Sequence, residues 1–162
     1  MSAYNDKMTK ENGQTQYYAK ISRQINDRFR RIRYNTTARM HRGDGMATFE
    51  DFCNYLIRLG SAYVDDHWRQ YSTVCDPCHH NYDVIMKFDT FNDDFRYLKD
   101  FLNISRQHLP DFFPPGDTRT NSDVTELFML TLPLILRVKL YEMYEKDFLL
   151  FGYERPWYCY RD

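Results

Sequence analysis

The sequence predicts an α/β chain that is mostly helical with one or two short strands, and three observations carry that prediction. Apolar residues recur at spacings of three and four in several separate stretches. One β-branched and aromatic run, Tyr82 to Phe88, stops just before a helix-opening Thr90, which is the strand-to-helix step of an α/β fold. The 162 residues, 43% hydrophobic and 17% aromatic, make one domain or a piece of one with an aromatic core.

In chain order, Ser2 to Thr15 has little period and contains the turn signal Asn12-Gly13. Tyr18, Ile21, Ile25, Phe29 and Ile32 form one stripe of a helix, and Lys20, Arg23, Arg30, Arg31 and Arg33 project to its opposite side. After a loop at 41–45, Thr48 with Asp51 opens a second helix whose buried stripe is Phe49, Phe52, Cys53, Leu56 and Ile57 and which Gly60 ends. Residues 65–80 hold Pro77 and no clean period, and read as a structured loop. Thr90 with Asp93 caps a helix with the stripe Phe91, Phe95, Leu98 and Leu102. A stiff connection through Pro110, Pro114 and Pro115 leads to Asn121 or Thr120, either of which caps a short helix through Leu130. Pro133 suits the first turn of a last helix, Gly152 breaks it, and the aromatic tail Tyr153 to Tyr160 packs back on the body.

The formal charge of -1 hides an asymmetry. Between Tyr17 and Arg42 stand Lys20, Arg23, Arg28, Arg30, Arg31, Arg33, Arg39 and Arg42 against the single acid Asp27, so a basic arm at about 17–42 adjoins an acidic body. The arm reads either as a solvated face or as a surface for a polyanion. The longest apolar run, near Leu127 to Leu136, is interrupted by Thr131 and Pro133, so no membrane span fits it. No signal peptide is legible, while the sequons at Asn35 and Asn103 and the four cysteines suit a lumenal protein, a combination expected of a chain that has lost its front end.

The densest chemistry lies at about 65–94. His67 sits beside Asp65, Asp66 and Trp68, and an imidazole with adjacent carboxylates is a candidate general base; a histidine bonded to a neighbouring loop is the other reading. Cys75-x-x-Cys78-His79 matches the spacing for haem attachment and, with His80, a partial zinc pattern, against a structural disulfide or thiols paired elsewhere. Lys87 and Asp89 lie at the carboxyl end of the expected strand, where ligands gather in open α/β sheets. Arg119, between Thr118 and Thr120, is either a phosphate fork or a solvated residue beside a helix cap.

Taken in order, Phe49-Glu50-Asp51-Phe52, Asp66-His67-Trp68, Val74-Cys75-Asp76-Pro77-Cys78, Tyr82-Asp83, Lys87-Phe88-Asp89-Thr90, Asp94, Thr118-Arg119-Thr120, Leu140-Tyr141-Glu142-Met143-Tyr144 and Asp147-Phe148-Leu149-Leu150-Phe151-Gly152-Tyr153 form a series. That series resembles the C-terminal half of the Golgi carbohydrate sulfotransferases, the group of the chondroitin and dermatan 4-O-sulfotransferases and the HNK-1 sulfotransferase. The resemblance covers nearly the whole chain, 1–162, as the C-terminal part of a single domain, with C-terminal helices at about 121–152.

The resemblance implies transfer of a sulfuryl group from the co-substrate 3′-phosphoadenosine 5′-phosphosulfate to a hydroxyl of a chondroitin- or dermatan-like glycosaminoglycan. It also implies a P-loop-like sulfotransferase fold truncated at the front, no metal, and no nucleic acid as partner. The setting it implies is the lumenal side of the Golgi membrane, with a type II anchor upstream and no membrane contact from this chain itself. By the same resemblance Ser2, in Ser2-Ala3-Tyr4, stands as the 3′-phosphate contact, with Thr118, Arg119 and Thr120 completing the nucleotide site. Lys87, Asp89, Trp68, Arg23 and Arg30 stand as acceptor contacts, and His67 as general base. The departures are the absence of the upstream phosphosulfate loop with its Lys and of the Arg-rich strand before Ser2, and Asp89 where relatives carry Glu. The second function consistent with these residues is a non-catalytic glycan-binding module.

Overall fold

The structure is a computed structural model that describes residues 4–8, 16–33, 45–60, 65–87, 89–104 and 122–160, excepting the side chains of residues 5, 6, 30–33 and 122. Among the described residues a π-helical turn Tyr4–Met8 precedes six helices: α1 (Gln16–Arg33), α2 (Phe49–Leu59), α3 (Tyr71–Val74), α4 (Phe91–Phe101), α5 (Ser122–Leu130) and α6 (Leu134–Leu150), with a closing 3-10 turn at Trp157–Cys159. The chain divides into two compact units, Met1–Val74 with Arg119–Asp162, and Cys75–Thr118.

In the first unit α1 packs on α2 and on the Tyr4–Met8 turn, α2 packs on α6, and α6 packs on α3 and on the Trp157–Cys159 turn. Over its described side chains the α1 stripe is the expected one, with Ile25 and Phe29 buried and Tyr18 and Ile21 half-buried, the Ile32 side chain lying outside them; buried Ala19 and Ser22 widen it. Ser22 is fully buried, at 0% exposure. Its hydroxyl donates to the Met8 carbonyl at 2.9 Å and accepts the Ala47 N–H at 2.9 Å, which ties the first turn, α1 and the approach to α2 at one point. Ser22→Ala strands both backbone groups away from water. We expect a loss of about 2 kcal/mol, read as a lower urea midpoint with unchanged slope.

The α2 cap is the predicted one. Thr48 Oγ1 accepts the Asp51 N–H at 3.2 Å and the Asp51 carboxylate accepts the Thr48 N–H at 3.0 Å, closing a reciprocal box. Gly60 ends the helix at φ +67°, a conformation that a Cβ would strain, and its N–H returns to the Leu56 carbonyl. Cys53 is buried on the apolar face, where burial pushes its thiol pKa far up and leaves it inert. The core joins Tyr4, Phe49, Phe52 and Trp68 to Leu136 and Leu140 of α6. The aromatic expectation holds: Phe52 meets Trp68 edge-on at 5.4 Å, and Tyr4 and Phe128 both contact Phe49.

Pro133 stands immediately before α6 rather than inside it, and Gly152, at φ +62°, follows its end. The aromatic tail does pack back: Cys159 is buried, and the Arg155 guanidinium lies over Tyr141 at 4.5 Å and over Tyr160 at 5.0 Å.

Three local expectations are corrected. The strand expected at 82–88 does not form over 82–87, Phe88 lying outside the described residues: Asn81 to Lys87 is without regular structure, and no strand occurs among the described residues. A β-branched, aromatic composition only makes a segment fit for a sheet; the strand itself requires a neighbour to take its N–H and C=O groups. Residues 65–80, expected as loop, hold the short helix α3. At α4, Thr90 and Asp93 do not make the box. Asp94 accepts the Lys87 N–H at 2.8 Å and the Thr90 hydroxyl at 2.7 Å, while Asp93 turns outward to Arg96 at 3.2 Å. With Lys87 N–H and Thr90 bonded to it, the Asp94 carboxyl lies below the usual range.

Candidate active site

The polar cluster of the first unit is built from α1 and the turn before α3. Asp65 opens that turn: its carbonyl accepts the Trp68 N–H at 3.0 Å, and its Oδ1 accepts the His67 N–H at 3.0 Å. An aspartate accepting the N–H two residues on is a self-made turn, and it fixes the carboxylate beside the ring it must meet. The same Oδ1 lies 2.5 Å from His67 Nδ1. Tyr18, reaching from α1, places its hydroxyl 3.2 Å from Asp65 Oδ2 and 3.0 Å from His67 Nδ1, with its ring edge-on to the imidazole at 5.3 Å. Lys7 lies over the Tyr18 ring at 5.2 Å.

Of the two acids beside His67 only Asp65 engages it; Asp66 pairs with Arg69 at 2.8 Å. Burial raises the Asp65 pKa, but the hydrogen bonds from His67 and Tyr18 outweigh it and leave the carboxyl below its usual value. Burial and the neighbouring Asp65 charge push the Tyr18 phenol up, so it remains a proton donor.

Trp68, the next residue, has its ring 6.5 Å from the imidazole. It is 7% exposed and sits in the core against Phe52 and Tyr18. Its carbonyl accepts the Tyr144 hydroxyl at 2.6 Å, a phenol that burial pushes up to about 12 and so keeps protonated. Gln70 donates to the Met143 carbonyl, and Asp147 accepts the Tyr71 and Ser72 N–H groups at 2.8 Å each. Helix α6 therefore grips the segment from Trp68 to Ser72 through Met143, Tyr144 and Asp147, about one turn of the helix.

A cavity of about 410 Å³ opens beside this segment, within the range of about 300–1,000 Å³ typical of small-molecule sites. His67, Asp66 and Arg69 supply polar lining, and Trp68, Tyr141, Tyr144, Phe148 and Tyr158 supply aromatic walls. The arrangement offers an imidazole held by a carboxylate beside an aromatic pocket, which suits proton abstraction from a hydroxyl of a ring-shaped substrate.

In the second unit Lys87 is half-buried and Asp89 exposed, both just before α4. Cys75 and Cys78 are exposed free thiols, and His79 Nδ1 contacts Asp76 at 2.7 Å. Among the described residues no group of three or more His, Cys, Asp or Glu is placed to hold a metal ion. Asn103 is exposed in the left-handed conformation at φ +50° just past α4. Arg23 is exposed on α1. Ser2, Asn35, Thr118, Arg119, Thr120 and the Arg30 side chain lie outside the described residues. Among the described helices none is long and apolar enough to cross a membrane.

The residues that sequence reasoning left without a site role are Tyr18, Tyr144 and Asp147. Tyr18 was legible only as part of the α1 stripe, because nothing local shows that its hydroxyl lands on a turn 47 residues away.

Comparison with known proteins agrees with the series of motifs. The sulfotransferase family profile matches residues 1–154. The chain is similar to mouse carbohydrate sulfotransferase 12, 37% identical over 71% of this chain and 28% of the relative. It is similar to mouse carbohydrate sulfotransferase 11, 30% identical over 100% of this chain and 46% of the relative, and to human carbohydrate sulfotransferase 8, 27% identical over 96% of this chain and 37% of the relative. The chain thus spans less than half the length of these relatives. No solved structure matches it. The chain belongs to the sulfotransferase family, and its relatives there are carbohydrate sulfotransferases.

Proposed function

We propose that the chain is the acceptor-side part of a carbohydrate O-sulfotransferase that uses 3′-phosphoadenosine 5′-phosphosulfate and sulfates a chondroitin- or dermatan-like glycan in the Golgi lumen, within a P-loop-type α/β architecture. The observation that carries the reading is the 2.5 Å contact of His67 Nδ1 with Asp65 at the edge of the aromatic cavity. His67 Nε2 accepts the proton of the acceptor hydroxyl as that oxygen bonds to sulfur. The sulfur–oxygen bond to the donor's phosphate breaks, and adenosine 3′,5′-bisphosphate leaves with the electron pair.

In this reading the aromatic walls, Trp68 among them, hold the apolar face of the acceptor sugar. Lys87, Asp89 and the cations of α1, Arg23 and Arg30, meet the remainder of the glycan. Ser2, Thr118, Arg119 and Thr120 serve the donor's phosphates, where guanidinium and hydroxyl donors fit the oxygens. Cys75 with Cys78 is a disulfide candidate, and Asn35 and Asn103 are glycosylation candidates.

The test is sulfuryl transfer to desulfated chondroitin by the chain and by His67→Gln. We expect the variant to lose about 100-fold or more in kcat; turnover within threefold of the parent would sink the base assignment. The exposed Lys20, Arg23 and Arg28 of α1 favour a second reading, a glycan-binding module without catalysis. Salt-sensitive chondroitin binding with no affinity for adenosine 3′,5′-bisphosphate would put that reading first.

A further inference from the structure

We infer that Asp65 and Tyr18 are positioning residues that hold His67 in the tautomer with its proton on Nδ1, so that Nε2 carries the free lone pair. The role in catalysis rests on the reading of His67 as general base; the tautomer itself does not.

The geometry leaves one consistent set of protons. Asp65 Oδ1 stands 2.5 Å from Nδ1, and an ionised carboxylate is an acceptor only, so the ring nitrogen must be the donor. A lone pair on Nδ1 at that distance would face a carboxylate oxygen directly. Tyr18 has one proton to give and three atoms in reach: Nδ1 at 3.0 Å, Oδ2 at 3.2 Å and Oδ1 at 3.4 Å. With Nδ1 already protonated, the phenol donates to the carboxylate and its oxygen accepts part of the Nδ1–H. Both acceptor oxygens of Asp65 are then engaged, Oδ1 also by the His67 N–H at 3.0 Å.

The frame around this cluster is stiff. The turn from Asp65 to Trp68 is closed by its own backbone bond, and Trp68 is fixed by the core and by Tyr144. Tyr18 comes from a separate helix, so α1 and the turn must dock correctly before the imidazole is aimed. A carboxylate behind an imidazole selects the tautomer and steadies the imidazolium formed on proton transfer. An amide in its place keeps its oxygen at Oδ1, where the His67 N–H also donates, and so keeps the tautomer, whereas Asp65→Ala leaves Nδ1 to accept the Tyr18 hydroxyl and moves the ring proton to Nε2.

The experiment is long-range proton–nitrogen NMR of the nitrogen-labelled chain at pH 8. We expect His67 Nε2 to show the unprotonated signature in the parent chain and in Tyr18→Phe, and the protonated one in Asp65→Ala. A protonated Nε2 in the parent chain overturns the inference without recourse to any variant, which covers the case of Asp65→Ala failing to fold. An unchanged tautomer in a folded Asp65→Ala overturns it equally. In sulfuryl transfer Asp65→Ala should lower kcat by about 100-fold with KM unchanged. If the tautomer switches as expected while His67→Gln keeps full turnover, the positioning stands and the base reading falls.

Discussion

Trp68→Ala destabilises the first unit by about 3–5 kcal/mol, the usual cost of emptying an aromatic core position, and a urea denaturation series on the purified chain should show it as a lower midpoint. The ring is 7% exposed, meets Phe52 edge-on at 5.4 Å and lies 6.1 Å from Tyr18, so its removal opens a void between α1 and α2 that neither helix can close alone. Trp68→Phe should behave differently. The indole Nε1 is buried and has no hydrogen-bond partner among the described residues. Deleting that unmet donor offsets part of the lost packing, so the Phe variant should lose no more than about 1 kcal/mol. Equal losses for Ala and Phe would show that the position requires the full indole and that a single six-membered ring recovers none of its packing.

The contrast between helix and site explains what was readable in advance. The Thr48–Asp51 cap, the Gly60 stop and the α1 stripe all depend on residues within a few positions of one another, and each appears as expected. The run at 82–88 was misread because strand character needs a partner that no local pattern supplies. That His67 meets a neighbouring acid was legible from the sequence, and the turn spacing of Asp65 and His67 carries the reason. Which acid engages was not legible: choosing Asp65 over Asp66 depends on the turn's direction and on Tyr18 arriving from α1. Asp147 read as part of a motif, yet its partners lie 75 and 76 residues upstream, beyond any periodicity argument.

Asp147→Ala costs about 3–5 kcal/mol and disorganises the site before it unfolds the unit. The carboxylate is 8% exposed and accepts two backbone N–H groups at 2.8 Å, those of Tyr71 and Ser72 at the start of α3. Hydrogen bonds to a charged group contribute about 1.5–3 kcal/mol each, and their loss leaves two helix-start donors without an acceptor. Asp147→Asn keeps one carbonyl oxygen and should lose about half as much. The consequence for the site follows from connectivity. Ser72 is five residues from His67, and α6 holds the intervening chain through Gln70 and the Trp68 carbonyl as well. Native-state hydrogen exchange of Asp147→Ala should therefore show faster exchange at Trp68, Tyr71 and Ser72 than at Leu56 in α2. Uniform acceleration across α2 and α3 would mean that the segment has no independent opening and that Asp147 acts on the whole unit at once.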